Sequence, residues 1–327
     1  MRYRQWRYIR NSGSSARVLV VLAVLSPGQG SQKPGFLSPW LELPGARDRL
    51  GNWSDLCQID LIHLGTEAEQ AEITDTARTQ PLLVAAALLA AEHLPIEHVD
   101  LVAGHSVGEL AAAHLAGVLS ADDAVMLAAV RGREMAAACA DPATGMAAVL
   151  GGDPDEVLAA ISAAGAYPAN RNGAGQIVAA GTTEALRELG ANPPDKARII
   201  PLSVAGAFHT PYMERAQQAL SKHAQDITTA EPARTWLSNA DGRPMASGPG
   251  ALDRLVSQVT APVRWDACMD SMAQRGITAV IELPPAGTLA GLVKRQLKGI
   301  DIVKLNTPDD LDSATQLIER VHGEGKA

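Results

Sequence analysis

The sequence predicts an α/β protein made of a large part built on a parallel sheet and a smaller part inserted into it. An apolar run over residues 18–25 is typical of a buried strand in a parallel sheet. A second apolar run, residues 99–103, leads through a glycine-flanked serine into a helical pattern. Between residues 146 and 204 the pattern changes to the order β-α-β-β-α-β, which indicates a separate small unit.

Length and composition indicate a globular protein. The chain has 327 residues, of which 46% are hydrophobic and 20% charged, so it can bury a sizeable core. Aromatic residues make up only 3%, and the core must therefore consist mainly of alanine, leucine, valine and isoleucine. The net charge of −8 argues against a nucleic-acid-binding protein.

The cysteine pattern indicates a reducing compartment. Cys57, Cys139 and Cys268 are odd in number and widely spaced, which predicts neither a disulfide framework nor a metal site. We expect each to be a buried small hydrophobic residue of a cytoplasmic protein.

The N-terminal residues 1–17 carry five arginines and no acidic residue. The apolar run that follows could be the core of a signal peptide, but it lacks a small-x-small cleavage site. A transit peptide fits the composition, yet the segment has no apolar periodicity. We therefore expect a disordered extension or an over-long start, with the folded chain beginning near Val18. No apolar stretch is long enough to span a membrane.

Gly104 and Gly108 flank Ser106 between the second predicted strand and a predicted helix over residues 110–119. This G-x-S-x-G spacing is typical of a nucleophile elbow, because the glycines let strand and helix approach while the hydroxyl projects. The start of the helix also directs N–H groups towards an oxyanion beside that hydroxyl. The alternative is a glycine-rich turn whose serine only caps the helix.

The string GHSVGE at residues 104–109 closely resembles the active-site signature of malonyl-CoA:acyl carrier protein transacylases and polyketide synthase acyltransferase domains. The loop SPGQGSQ at residues 26–32 resembles a second motif of this family. The resemblance implies that Ser106 is the nucleophile. It also implies that the backbone N–H groups of Gln29 and Val107 form the oxyanion hole.

Two helices carry further parts of the resemblance. The family's Gln-Pro matches residues 80–81, and we expect a helix to about residue 91 with Pro81 in its first turn. A capping box at Ser120 predicts a second helix to about residue 138. Within it, Arg131 by itself indicates only a surface pair with Glu134, three residues on. The resemblance implies that Arg131 instead binds the free carboxylate of a malonyl group.

The small unit is predicted to be ferredoxin-like from its element order. Its strands are expected at residues 146–150, 167–170, 176–180 and 197–204, its helices at 154–164 and 183–189, and a hairpin turn at 171–175. The family has an α/β-hydrolase-like large subdomain with a ferredoxin-like insert. We accordingly assign residues 18–141 and 206–327 to the large subdomain and 142–205 to the insert. The resemblance further implies that Asn172 lines the active-site cleft.

Of the eight histidines, only His209 lies in a short linker that re-enters the large subdomain. His105 is a poor candidate for the base, because adjacent side chains at the turn diverge. The resemblance implies that His209 is the catalytic base and that the main-chain carbonyl of Gln258 orients it, replacing the acid of a triad. Phe208 matches the form of this motif that is associated with malonyl substrates.

The resemblance covers roughly residues 18–309 and implies malonyl transfer from malonyl-CoA to acyl carrier protein through a malonyl-serine intermediate. It implies no cofactor, and we expect a monomer. A polyketide-pathway acyltransferase, a serine thioesterase or other hydrolase, and a non-catalytic carrier-binding module remain alternatives. A predicted strand over residues 277–283 leads into Pro-Pro-Ala-Gly, where the family usually has Gly-Pro-Gly. The basic cluster of Lys294, Arg295 and Lys298 is either a docking surface or a solvated face.

Overall fold

The computed structural model describes residues 21–140 and 142–326. Its strands form two separate sheets, one parallel and one antiparallel. In chain order the strands are β1 (Val21–Ser26), β2 (Leu101–Gly104), β3 (Thr144–Gly151), β4 (Tyr167–Gly173), β5 (Gln176–Thr182), β6 (Ala197–Leu202), β7 (Thr235–Leu237), β8 (Ile277–Glu282) and β9 (Asp301–Lys304).

The helices surround the parallel sheet and cover one face of the antiparallel one. They are α1 (Ala46–Cys57), α2 (Leu61–Thr66), α3 (Gln70–Ile73), α4 (Thr76–Ala91), α5 (Gly108–Leu115), α6 (Ala121–Ala138), α7 (Pro154–Ala163), α8 (Thr183–Ala191), α9 (Glu214–Ala224), α10 (Gly248–Ser257), α11 (Trp265–Gln274), α12 (Thr288–Gln296) and α13 (Leu311–Lys326).

The parallel sheet has the strand order β7-β2-β1-β8-β9. Along β1, Leu22 and Val24 belong to the larger core, on the face that α5 and α13 cover. Ala23 and Leu25 belong to a second core together with residues of α11 and α12. Because successive side chains of a strand point to opposite faces, a fully buried strand must be apolar throughout. This explains the continuous apolar run that the sequence shows here.

The antiparallel sheet has the order β4-β5-β3-β6, which is the ferredoxin-like arrangement. One face packs on α7 and α8 through residues such as Val149 and Ile177. The other face contributes Met146 and Val178 to the larger core, so the small unit is anchored on the large one. The fold class predicted from the sequence is confirmed, whereas the boundaries at 141/142 and 205/206 stay predictions.

β4 joins the small unit to the large one. The N–H of Arg171 donates to the carbonyl of Val263 across 2.8 Å, and the N–H of Val263 donates to Ala169 across 2.9 Å. The Arg171 side chain also pairs with Asp266 at 3.2 Å. These contacts fix the position of the segment that carries Asn172.

Several expected elements differ from the structure. Helix α4 begins at Thr76, where Asp75 accepts the N–H of Ala77, so the placement of Pro81 in the first turn was wrong. The interior proline leaves the carbonyl of Ala77 without its helical donor, and Gly132 of α6 packs against this region.

The other differences concern strand ends and omitted strands. β4 continues to Gly173, so the hairpin turn is shorter than the predicted 171–175. Strands β7 and β9 were not predicted, because runs of three and four residues are too short to show periodicity. The expected extension over residues 1–17 and the start near Val18 lie outside the described residues.

Among the helices of residues 21–140 and 142–326, none combines the length and the apolar character needed to cross a bilayer.

Candidate active site

The site lies at the carboxyl ends of three neighbouring strands, β7, β2 and β1, where open α/β sheets bind their ligands. β2 ends at Gly104 and α5 begins at Gly108, with Ser106 at the turn between them. A Cβ on Gly104 would lie 2.0 Å from the carbonyl oxygen of Gly108, so only glycine permits this close approach. Ser106 itself has φ of 54°, a left-handed conformation that costs energy for a residue with a Cβ.

His209 contacts the serine hydroxyl directly. Its Nε2 lies 2.7 Å from Ser106 Oγ. Its backbone is also left-handed, with φ of 60°. The loop that carries it is fixed on both sides, since Thr210 Oγ1 donates to Ala207 O and Ala207 N donates to Thr144 Oγ1. Two strained residues therefore meet at this contact, and surrounding hydrogen bonds hold both.

The other ring nitrogen of His209 is bound to a main-chain carbonyl. Nδ1 lies 2.9 Å from the carbonyl oxygen of Gln258, which can only accept, so Nδ1 carries the proton. Nε2 is then free to accept the Ser106 hydroxyl proton. Within the described residues no carboxylate contacts His209, and the Gln258 carbonyl lies at the ring nitrogen that a triad acid would contact.

Arg131 is buried beside Ser106, with 2% of its surface exposed. Its Nη1 donates to Gln80 Oε1 at 2.6 Å, and its Nη2 donates to Gln258 Oε1 at 2.8 Å. Nη2 also lies 3.3 Å from Ser106 Oγ. Arg131 is not the partner of Glu134, which pairs with Arg133 instead. The surface-pair alternative is therefore wrong, because α6 turns Arg131 inwards and Glu134 outwards.

A carboxylate beneath the elbow completes the network. Glu109 Oε1 accepts the backbone N–H of Asn239 at 2.7 Å, and its Oε2 accepts Gln258 Nε2. Asn239 Oδ1 in turn accepts the N–H of Ser106 at 2.8 Å, while its Nδ2 donates to Gly104 O. The elbow is thus held from below by two amides and one carboxylate.

Burial governs the ionisation of these groups. Burial and the neighbouring Arg131 charge lower the pKa of His209 to about 3, which keeps the imidazole neutral. Burial raises the pKa of Glu109 to about 8, against the opposing hydrogen bonds and the Arg131 charge. Burial likewise lowers the pKa of Arg131 to about 10, so the guanidinium remains charged at neutral pH. A small cavity behind Arg131 is lined mainly by leucines, among them Leu110, Leu127, Leu220 and Leu255.

The loop after β1 lies against the elbow. A Cβ on Gly28 would be 2.8 Å from the carbonyl oxygen of His105, which places the following residue, Gln29, beside the nucleophile turn. The Gln29 side chain lies 3.5 Å from Gln80 Nε2. Within the described residues, the backbone N–H groups of Gln29 and Val107 donate to no acceptor. Their assignment as an oxyanion hole stays a prediction.

Asn172 and Phe208 lie next to the reacting pair rather than in contact with it. Asn172 Oδ1 is 2.9 Å from His105 Nε2, so the small unit reaches the residue before the nucleophile. Phe208 is buried in the larger core directly before His209. Their roles in substrate binding stay predictions.

The sequence interpretation missed Gln80, Glu109 and Asn239 as site residues. Glu109 gave a usable signal, because it is a charged residue in the first turn of an otherwise apolar helix. Asn239 follows a strand too short to recognise, so its place at the sheet's carboxyl edge could not be seen. Gln80 belonged to a recognised motif, but nothing in the sequence brought it next to Arg131.

A strained serine on a strand–turn–helix junction, bonded to a neutral histidine whose other nitrogen is held, defines a nucleophilic acyl-transfer site. The buried arginine beside the serine adds a cation that can pair with an anionic acyl group.

Comparison with known proteins gives the family. The family model for the acyl transferase domain matches residues 25–316, and the chain belongs to this family. The chain is 56% identical over 290 residues to the malonyl CoA-acyl carrier protein transacylase of Mycolicibacterium smegmatis, covering 86% of this chain and all of that protein.

Solved structures agree in fold. The crystal structure of MCAT from Mycobacterium tuberculosis is 53% identical and superimposes with a TM-score of 0.88, covering 90% of this chain and 99% of that one. A malonyl-transacylase solved in complex with a holo type II PKS acyl-carrier protein is 28% identical, with a TM-score of 0.85 over 91% of this chain and 99% of that one.

Proposed function

We propose that this protein transfers the malonyl group of malonyl-CoA to the phosphopantetheine thiol of acyl carrier protein and so supplies extender units for fatty acid synthesis. The observation that carries the proposal is the placement of Arg131 Nη2 3.3 Å from Ser106 Oγ, which His209 Nε2 approaches to 2.7 Å. The nucleophilic oxygen is therefore in contact with a base and with a cation that can bind the substrate carboxylate. The names of the similar transacylases support the same reaction.

In the first half-reaction Ser106 Oγ attacks the thioester carbonyl carbon of malonyl-CoA and transfers its proton to His209 Nε2. The bond between the carbonyl carbon and sulfur then breaks. His209 returns the proton to the leaving CoA thiolate, and a malonyl ester remains on Ser106. The bond from Nδ1 to the Gln258 carbonyl stabilises the transient imidazolium.

The negative charge of the tetrahedral intermediate requires donors. We assign these to the backbone N–H groups of Gln29 and Val107, in loops that touch through Gly28 and His105. Val107 also directly precedes α5, so the positive end of that helix faces the same region.

Arg131 provides selectivity for a dicarboxylic acyl group. A buried carboxylate without a partner is costly, whereas guanidinium offers parallel N–H donors that match its two oxygens. One N–H on each terminal nitrogen is bound to a glutamine oxygen, Gln80 or Gln258, which fixes the plane of the guanidinium. The remaining donors are available to the malonyl carboxylate.

In the second half-reaction the pantetheine thiol gives its proton to His209 and attacks the malonyl ester. Ser106 then leaves and recovers the proton, which closes a ping-pong cycle. Both steps use only groups of this chain and the substrates, and we propose no cofactor. We further propose a cytoplasmic monomer, in keeping with the three unpaired thiols, Cys57, Cys139 and Cys268.

The test is intact mass spectrometry after mixing the protein with malonyl-CoA. A malonyl adduct that persists, maps to Ser106 and is removed by holo acyl carrier protein is expected. Ser106→Ala should form no adduct, since the elbow offers no other nucleophile. Modification of the alanine variant on another residue would contradict the assignment of the elbow.

The same experiment separates the alternatives. A serine thioesterase would release free malonate without a thiol acceptor, and a carrier-binding module would form no adduct. Neither alternative explains a buried arginine beside the nucleophile. A polyketide-pathway acyltransferase would share the chemistry and differ in its carrier protein, so transfer to carriers of both pathways should be compared.

A further inference from the structure

Glu109 is a buried carboxylate that the proposed reaction does not use. It lies in the first turn of α5, and only 1% of its surface is exposed. Both of its oxygens accept a hydrogen bond, one from the backbone of Asn239 and one from the side chain of Gln258. A buried polar group of this kind is unfavourable unless hydrogen bonds satisfy it, and here its partners connect it to the nucleophile turn and to Arg131.

The contacts with Glu109 and with Arg131 together decide which way the Gln258 amide faces. Gln258 Nε2 donates to Glu109, and it also lies 3.0 Å from the carbonyl oxygen of Ser106. Oε2 of Glu109 is the acceptor in this contact, so the NH₂ end of the amide faces it. The oxygen end must then face Arg131, where Oε1 lies 2.8 Å from Nη2. Reversal of the amide would place an NH₂ group against the guanidinium, two donors with no acceptor between them.

The orientation of Gln258 in turn fixes the guanidinium of Arg131. Gln80 and Gln258 take one N–H from each terminal nitrogen, at 2.6 and 2.8 Å. Loss of the Gln258 acceptor would release Nη2, the nitrogen that lies beside Ser106 Oγ. The guanidinium would then lose the fixed plane that bidentate carboxylate binding needs.

We propose that Glu109 is a positioning residue for malonyl recognition, acting through the side-chain amide of Gln258 to hold Arg131 beside the nucleophile. This inference rests on the proposed function, because it requires that Arg131 binds the malonyl carboxylate. The inference gives Glu109 an effect on the selectivity between acyl groups, and this effect does not act through the contact between Ser106 and His209. His209 is held by the main-chain carbonyl of Gln258, and a change in the orientation of the side-chain amide leaves that carbonyl in place.

The test is Glu109→Gln, which keeps the size of the side chain. A glutamine has one acceptor oxygen, whereas Asn239 N–H and Gln258 Nε2 both donate to position 109. The Gln258 amide is therefore expected to reverse. A matched control is Glu282→Gln, because Glu282 is also fully buried and accepts backbone N–H groups, from Gly287, Leu289 and Ala290, away from the elbow.

The readouts are kcat/KM for malonyl-CoA and for acetyl-CoA, and the rate at which a neutral fluorophosphonate labels Ser106. For Glu109→Gln the malonyl-to-acetyl ratio should fall about tenfold or more, the scale of one charge-assisted hydrogen bond. Labelling should fall by a clearly smaller factor than kcat/KM for malonyl-CoA, because Ser106 and His209 keep their contact. Glu282→Gln should lower the melting temperature and leave the ratio unchanged.

Equal losses for malonyl, acetyl and labelling in Glu109→Gln would overturn the inference and make Glu109 a structural residue only. If the variant does not fold, Gln258→Met tests the same link while keeping Glu109 and the main-chain carbonyl. An unchanged acyl ratio in Gln258→Met would equally overturn it. Failure of the proposed function is distinguishable, because the unmodified protein would then form no malonyl adduct.

Discussion

His209 Nδ1 donates to the main-chain carbonyl oxygen of Gln258 across 2.9 Å, at the position that a carboxylate occupies in a serine–histidine–aspartate triad. A carbonyl fixes the tautomer and the orientation of the ring but carries no net charge. Burial and the Arg131 cation therefore set the electrostatic environment of the imidazole, and among the residues that the structure describes no anion contacts it.

Replacement of His209 by alanine should slow acylation of Ser106 by a factor of about 10² or more, the usual scale for loss of a positioned base. The rate of adduct formation measured by quenched-flow mass spectrometry checks this. Asp241→Asn is a suitable control, because that carboxylate pairs with Arg254 and not with the histidine. A loss in the control equal to that of His209→Ala would reveal a true acid in the triad.

The charge of Arg131 should be visible in the pH dependence of the reaction. Arg131 lowers the pKa of His209, so its removal should raise that pKa towards the ordinary value of 6.5. Because only the neutral imidazole is a base, the acid limb of kcat/KM for acetyl-CoA should move to higher pH in Arg131→Met. His105, whose pKa burial also lowers, stays in place in both proteins. Identical acid limbs would contradict the electrostatic coupling.

Arg131→Ala should lower kcat/KM for malonyl-CoA. The loss should correspond to several kcal/mol of transition-state stabilisation, about the scale of one lost buried charge pair. Transfer of acetyl should be unaffected or improved, because no buried cation then opposes the smaller group. Arg131→Lys should fall between, since an ammonium cannot match two oxygens at once. Parallel losses for both acyl-CoAs would show that Arg131 serves only to maintain the structure.

Gly104→Ala should prevent normal folding or cost about 3 kcal/mol or more in the free energy of unfolding, because its Cβ would lie 2.0 Å from a backbone oxygen. Gly190→Ala is the matched control. That glycine lies in α8 with open space around its Cβ position, so alanine there should be neutral or stabilising by up to about 1 kcal/mol. Urea unfolding of both variants measures the difference, and equal effects would contradict the tight-turn argument.

Much of the fold could be predicted because its signals are local. The buried strands β1, β2 and β8 appear as continuous apolar runs, and the small unit shows its element order directly. Helix α6 begins after the capping serine that predicts it, since Ser120 accepts the N–H of Asp123. The first turn of α4 was misplaced because Asp75 caps the helix one turn upstream of the proline motif.

The sequence by itself determined the features that depend on residues close together along the chain. The glycine spacing around Ser106 and the strand and helix on either side are properties of one short segment. At Gln29, Arg131, His209 and Gln258 the resemblance indicated candidate site residues. It did not give the distances between them. Local steric and hydrogen-bonding preferences are enough for this level, because they act within a few residues.

Only the tertiary structure decided how these segments act on one another. Arg131 and Gln258 are 127 positions apart, and Ser106 and His209 are 103 apart, yet each pair is in hydrogen-bond contact. The partners of Glu109, two donors from distant segments, became visible only in the folded chain. The physical reason is that burial removes water as a partner, so each buried polar group must find its acceptor or donor wherever the fold brings one.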